Sequence, residues 1–192
     1  MITTVSANNS EPLQKSLRDF FIGWDLTDSK IFRDGIAGFL FFNYENLTEP
    51  HLFHSFLGHG NSPIYVGYLS RFIGPVRDDL LGALYVPQDA GLDEITDAFT
   101  RDPGLPEEAA IQYFVRSGFV VPSINVGWSI WFSTYWEIAI CGFRSVQDAR
   151  EFRSIQTNLV FLDNEDVISQ YSTNPASKAP ICLASHLRLN LI

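Results

Sequence analysis

Three of the four histidines, His51, His54 and His59, fall within nine residues, in the run His51-Leu52-Phe53-His54-Ser55-Phe56-Leu57-Gly58-His59. On a helix His51 and His54 would share a face, an arrangement a metal ion can use. The run holds no cysteine or acid, lacks the His-Glu-x-x-His pattern, and would need a third ligand from elsewhere. Surface histidines in a loop therefore outweigh a metal centre, and neither a metal nor a cofactor is expected. Gly58-His59-Gly60-Asn61-Ser62-Pro63 contains two glycines of a dinucleotide-binding turn. Pro63 replaces the third, and the strand-like Ile64-Tyr65-Val66 follows where a helix is required, so nucleotide binding by this route is rejected.

Nucleophiles are equally sparse. There is no Gly-x-Ser-x-Gly elbow, and Cys141 sits in the apolar run from Glu137 to Phe143, where a packed, inert thiol is expected. Between Ile111 and Phe143 the sole acid is Glu137 and the sole base is Arg116. Period-two alternation puts Trp136, Ile138 and Ile140 on one face and Tyr135, Glu137, Ala139 and Cys141 on the other. A carboxylate inside an apolar cleft would suit general acid–base work with a histidine brought from elsewhere. The ordinary reading is an outward carboxylate on a half-exposed sheet.

Charge carries the strongest signal. Residues 85–111 hold Asp89, Asp93, Glu94, Asp97, Asp102, Glu107 and Glu108 against Arg101 alone, which is -6 of the chain's -9. Acids in the first turns of two helices are stabilised by the macrodipole, which accounts for Asp93, Glu94, Glu107 and Glu108. Asp89, Asp97 and Asp102 have no such reason. The ordinary reading is a solvated helix face; as a partner surface, a contiguous negative face would speed association with a basic protein. Trp128, Trp131, Phe132, Tyr135 and Trp136 crowd the next stretch. A thin sheet hides so many rings only if both faces are covered. Most of them are expected in the core, with Trp131 and Tyr135 as candidate anchors for a partner.

The elements that would position these residues follow from spacing. Residues 1–9 read as a disordered lead and 10–192 as one domain. Ser10 is a plausible N-cap, and Leu13, Leu17, Phe20, Phe21 and Trp24 recur at helical spacing. Gly35 to Tyr44 reads as a buried strand and residues 45–63 as loop-rich, with a short apolar piece from Leu52 to Leu57. Ile64 to Ile73 reads as a second strand, and Val76 to Val86 as a short helix or a strand-like connector. Leu92, Ile95 and Phe99 mark one helix, and Pro106-Glu107-Glu108 opens another that stops at Gly118. Val126 to Phe132 and Trp136 to Phe143 form a hairpin around Ser133-Thr134-Tyr135. Ser145-x-x-Asp148 starts a helix carrying Val146, Ala149, Phe152 and Ile155. Together these predict an α+β fold with an antiparallel or mixed sheet and helices packed on it.

Composition narrows the function. The 192 residues are 46% hydrophobic and 14% aromatic but only 18% charged, with 22 acids against 13 bases. Such a chain has too much to bury for disorder and is too acidic for a dedicated nucleic-acid binder. No run reaches a membrane span. The start, Met1 to Ser10, has neither basic residues nor an apolar core, so it is not a secretory signal. A cytoplasmic protein is expected, with Cys141 and Cys182 as free thiols and the sequons at Asn8 and Asn46 unused. The leading expectation is a small acidic binding protein of the bacterial cytosol that caps a basic protein. Immunity proteins that neutralise nucleic-acid-degrading toxins share this profile of properties. The alternatives are an enzyme using Glu137 and a histidine, and a structural or assembly subunit that buries its aromatic surface in a homo-oligomer.

Overall fold

A computed structural model of the chain describes residues 1–6, 11–23, 30–48, 50–57, 62–73, 81–100, 117–123, 127–133, 135–163 and 165–167. Its centre is an eight-stranded sheet in which every neighbouring pair is antiparallel. In chain order the strands are β1 (Thr3–Ser6), β2 (Gly38–Asn43), β3 (Ile64–Tyr68), β4 (Leu81–Val86), β5 (Ser117–Pro122), β6 (Trp128–Ser133), β7 (Ile138–Phe143) and β8 (Phe161–Leu162). Across the sheet they run β1-β4-β3-β5-β6-β7-β2-β8. The fold is α+β, with six helices among the described residues: α1 (Glu11–Phe20), α2 (Glu45–Thr48), α3 (Pro50–Leu57), α4 (Leu69–Phe72), α5 (Leu92–Thr100) and α6 (Val146–Ile155).

The middle strands are buried on both faces, and every residue of β6 and β7 is buried. Alternation sorts their side chains into two cores. Trp128, Ile130 and Phe132 of β6, with Ala139, Cys141 and Phe143 of β7, pack under Phe56 and Leu57 of α3, Ile95 of α5 and Phe152 of α6. Trp131, Ile138 and Ile140 pack on the opposite side with Leu13, Leu17 and Phe20 of α1 and Leu69 of α4. Phe152 joins the first core into one aromatic unit. Its ring stacks on Phe56 at 6.0 Å and meets Trp128 and Phe143 edge-on, both at 5.3 Å. Close approach on each face needs a glycine. A Cβ on Gly118 would lie 2.3 Å from Cζ of Phe132, its cross-strand partner, and one on Gly142 would lie 2.8 Å from Cε1 of Phe32.

Local chemistry explains the elements. Leu13, Leu17 and Phe20 bury one face of α1. At α6 the Ser145 Oγ accepts the backbone N–H of Asp148 at 3.0 Å, the cap expected from the Ser-x-x-Asp spacing. Only Ala149 and Phe152 of that helix are buried, while Val146 and Ile155 remain partly exposed.

Four expectations need correction. Part of the expected disordered lead is a strand: Thr3–Ser6 pairs with β4, where β-branched residues suit the extended backbone. The expected loop at 45–63 contains α2 and α3. Pro50 opens α3, a position where its missing N–H costs nothing. The expected strand from Ile64 to Ile73 is β3 followed directly by α4. Gly118, read as a helix stop, is inside β5. The helix expected from Pro106, together with Ser10 and Trp24, lies outside the described residues.

Gly118→Ala is expected to lower stability by about 1–3 kcal/mol, because the new methyl displaces the Phe132 ring. Gly91→Ala, where a Cβ meets nothing within 4 Å, should stay within about 0.5 kcal/mol of the parent. Urea midpoints at constant m-value check the pair.

Candidate functional site

Acids at the start of α5 follow from helix chemistry. Asp93 and Glu94 occupy its first turn, facing the partial positive charge of the helix N-terminus. Ile95 anchors the helix in the core and is fully buried. Asp89, in the preceding turn, and Asp93, Glu94 and Asp97 are all exposed. The α-ammonium of Met1 lies 3.5 Å from Glu94. Asp102, Glu107 and Glu108 lie outside the described residues.

The aromatic anchors separate. Trp131 is fully buried on the face covered by α1, so it cannot touch a partner. This corrects its expected role: in a sheet covered on both sides, the rings of a central strand belong to the core. Tyr135 is 79% exposed and stands edge-on to Trp136, with ring centroids 4.9 Å apart. It is not beside Asp89. The segment carrying Asp89 leaves β4 at the end of the sheet where Val86 pairs with Ile64, which in turn pairs with Pro122. The turn carrying Tyr135 closes the opposite end, where Ser133 pairs with both Ser117 and Ile138. Acids and aromatics therefore do not merge into one surface.

Glu137 also differs from its expected place. It is not a strand residue but the last residue of the β6–β7 turn, exposed, with φ 53°. That is the left-handed region, unfavourable for a side chain bearing Cβ. His51 and His54 are exposed on α3, and His59 lies outside the described residues. Among the described residues no group of three or more His, Cys, Asp or Glu is placed to hold a metal ion. Cys141 is buried between β6 and β2, and burial pushes its thiol well above the ordinary value, with a backbone hydrogen bond to Ser129 acting the other way. Its possible partner Cys182 lies outside the described residues.

Two features escaped the sequence. Gln156, buried at the end of α6, donates through Nε2 to the Ser55 carbonyl at 3.1 Å and accepts from Ser55 Oγ at 2.6 Å, tying α6 to α3. At the β2–β8 edge a cavity of about 160 Å³ opens between Arg153 and Asp163 over an apolar floor that includes Phe39 and Leu162. No spacing signal links residues so far apart in the chain.

No protein-family model, no curated protein and no solved structure matches the chain. Among the described residues no helix is long and apolar enough to cross a membrane.

Two outcomes test this geometry. In the folded protein Cys141 should resist iodoacetamide at mildly alkaline pH and react once guanidinium unfolds the chain, as read by peptide mass mapping. Because its folded-state value is raised, its contribution to stability is present below the ordinary thiol value and is lost as pH rises above it. At the turn, Glu137→Val should destabilise by about 1 kcal/mol, since β-branching worsens a left-handed φ. Glu137→Gly should be neutral or stabilising in the same urea titration.

Proposed function

We propose that the protein is a small acidic protein-binding domain of the immunity or inhibitor kind, acting in a bacterial cytoplasm by capping a basic partner. The observation that carries this reading is the exposed acidic set Asp89, Asp93, Glu94 and Asp97 on and just before α5. That face is held in place by a fully buried Ile95 and lies on a chain with net charge -9. Macrodipole stabilisation accounts for Asp93 and Glu94 in the first turn of α5, and Asp97, further along the helix, extends the acidic face. Tyr135 would join the same interface only if the partner reaches the far end of the sheet.

A field of this kind acts on encounter more than on the final complex. Exposed charges typically contribute about 0–1 kcal/mol each at equilibrium, and salt screens them over about 8 Å at physiological ionic strength. The experiment is affinity capture at low salt followed by kinetics on the captured partner. Combining Asp93→Asn, Glu94→Gln and Asp97→Asn should slow association by about tenfold at low salt, with dissociation nearly unchanged and the difference erased by added salt. Unchanged association in low salt would reduce the set to a solvated helix face and remove the proposal's support.

A further inference from the structure

Asp34-Gly35 is the one place in the chain where an aspartate or asparagine precedes a glycine. A glycine has no side chain to shield its amide nitrogen, so that nitrogen can approach the carboxyl carbon of the residue before it. The structure sets the pair in a turn at the surface. The Asp34 side chain is 91% exposed and ion-pairs with Lys30. Gly35 has φ 94°, and a Cβ built on it would meet nothing within 4 Å. Among the described residues its N–H donates to no acceptor, so turning that peptide costs no hydrogen bond. The chain is clamped on both sides of the turn. The Arg33 N–H donates to the Phe20 carbonyl at 2.8 Å, and the Ala37 N–H donates to the Phe143 carbonyl at 2.7 Å. Between the clamps Ile36 is buried, with its Cγ2 3.3 Å from where a Cβ on Gly142 would stand.

We propose that Asp34 is a site of spontaneous isomerisation, at which the main chain is rerouted through the side chain to give isoaspartate. The Gly35 nitrogen attacks Cγ of Asp34 in its acid form. The N–Cγ bond forms, the Cγ–OH bond breaks, and the hydroxyl leaves with the amide proton as water. The product is a succinimide ring, in which the nitrogen is bonded to both carbonyl carbons of Asp34. Water then adds to one of the two. Cleavage of the N–Cγ bond restores aspartate. Cleavage of the bond to the main-chain carbonyl carbon leaves Gly35 attached through Cγ and frees an α-carboxylate. One water leaves and one enters, so the step needs no oxidant and no co-reactant beyond solvent. The isomer lengthens the main chain by one carbon between the clamps at Arg33 and Ala37. Either a clamp gives or Ile36 shifts from its place over Gly142, and a close-packed interior tolerates neither without loss. The site lies on the opposite face of the sheet from α5 and does not depend on the basic-partner reading.

Prolonged incubation of the full folded chain in buffer made with heavy-oxygen water, followed by digestion and peptide mass mapping, tests it. The peptide spanning Asp34 should split with time into two chromatographic forms. The new form should carry one heavy oxygen and accept a methyl group from an isoaspartate methyltransferase used as the probe. Asp34→Glu should abolish both signals at that peptide, because the longer side chain closes the larger ring far more slowly. The substitution is at an exposed position, and an unchanged circular dichroism spectrum checks that the variant is folded. The converted fraction should unfold at a lower urea midpoint than the unconverted one. A peptide that keeps a single form in the folded chain overturns the proposal, and conversion in guanidinium alone would identify the fold as what protects the pair. Label and methylation undiminished in Asp34→Glu overturn it too, and an unchanged urea midpoint overturns the stated consequence for Ile36.

Discussion

The constraint from which the architecture follows is a sheet apolar on both faces. β6 and β7 present no solvent-exposed residue, so neither face can be left to water without losing roughly 1.5–3 kcal/mol for each large side chain uncovered. Antiparallel sheets commonly keep one wet face. This one carries α3, α5 and α6 on one side and α1 and α4 on the other. The low charged fraction and the aromatic excess are two expressions of the same arrangement, since central strands need rings on alternate positions both ways. Gly118 and Gly142 supply the room, one under a ring on each face.

That demand decides what is left for the surface. Trp128 and Trp131 are consumed by opposite cores, and Phe132 fills the space over Gly118. Of the aromatic run, Tyr135 alone stands well out in solvent. Among the described residues exposed charges are spread over α1, α5 and α6, and those on α5 and just before it are all acidic. Inside, Gln156 and Ser55 satisfy one another, whereas Asn46 Nδ2 and Ser129 Oγ are buried with no hydrogen-bond partner among the described residues, an arrangement that costs stability.

Much of the fold was legible from local signals. Spacing alone placed α1 through Leu13, Leu17 and Phe20, and the Ser145 cap placed α6. The β6–β7 hairpin followed from two apolar runs around a short polar break. What was not legible depended on neighbours. Thr3–Ser6 is strand because β4 lies beside it, not because four residues could form a strand unaided. α3 was hidden because an apolar piece of its length fits a strand or a helix equally well. For the candidate site, the exposure of Asp89, Asp93, Glu94 and Asp97 agreed with their pattern. Trp131 and Glu137 did not follow theirs. A ring's burial depends on the layer above it, and strict alternation cannot reveal that the turn extends through residue 137.

The position of β2 has a temporal consequence. Residues 38–43 find their ladder partners in residues 138–143, so a strand made early waits until most of the chain exists. β1 with β4, β2 with β8 and β3 with β5 are likewise joined across long stretches of chain, whereas β3–β4, β5–β6 and β6–β7 pair near neighbours. Such topology places folding among the slow, non-local cases, in the range of milliseconds to seconds. During that interval Phe39, Leu40, Phe41 and Phe42 form an unpaired apolar segment on the nascent chain, the kind of sequence that chaperones hold and that aggregation recruits. The charge-poor composition that suits the finished molecule thus makes its synthesis the most vulnerable stage of its life.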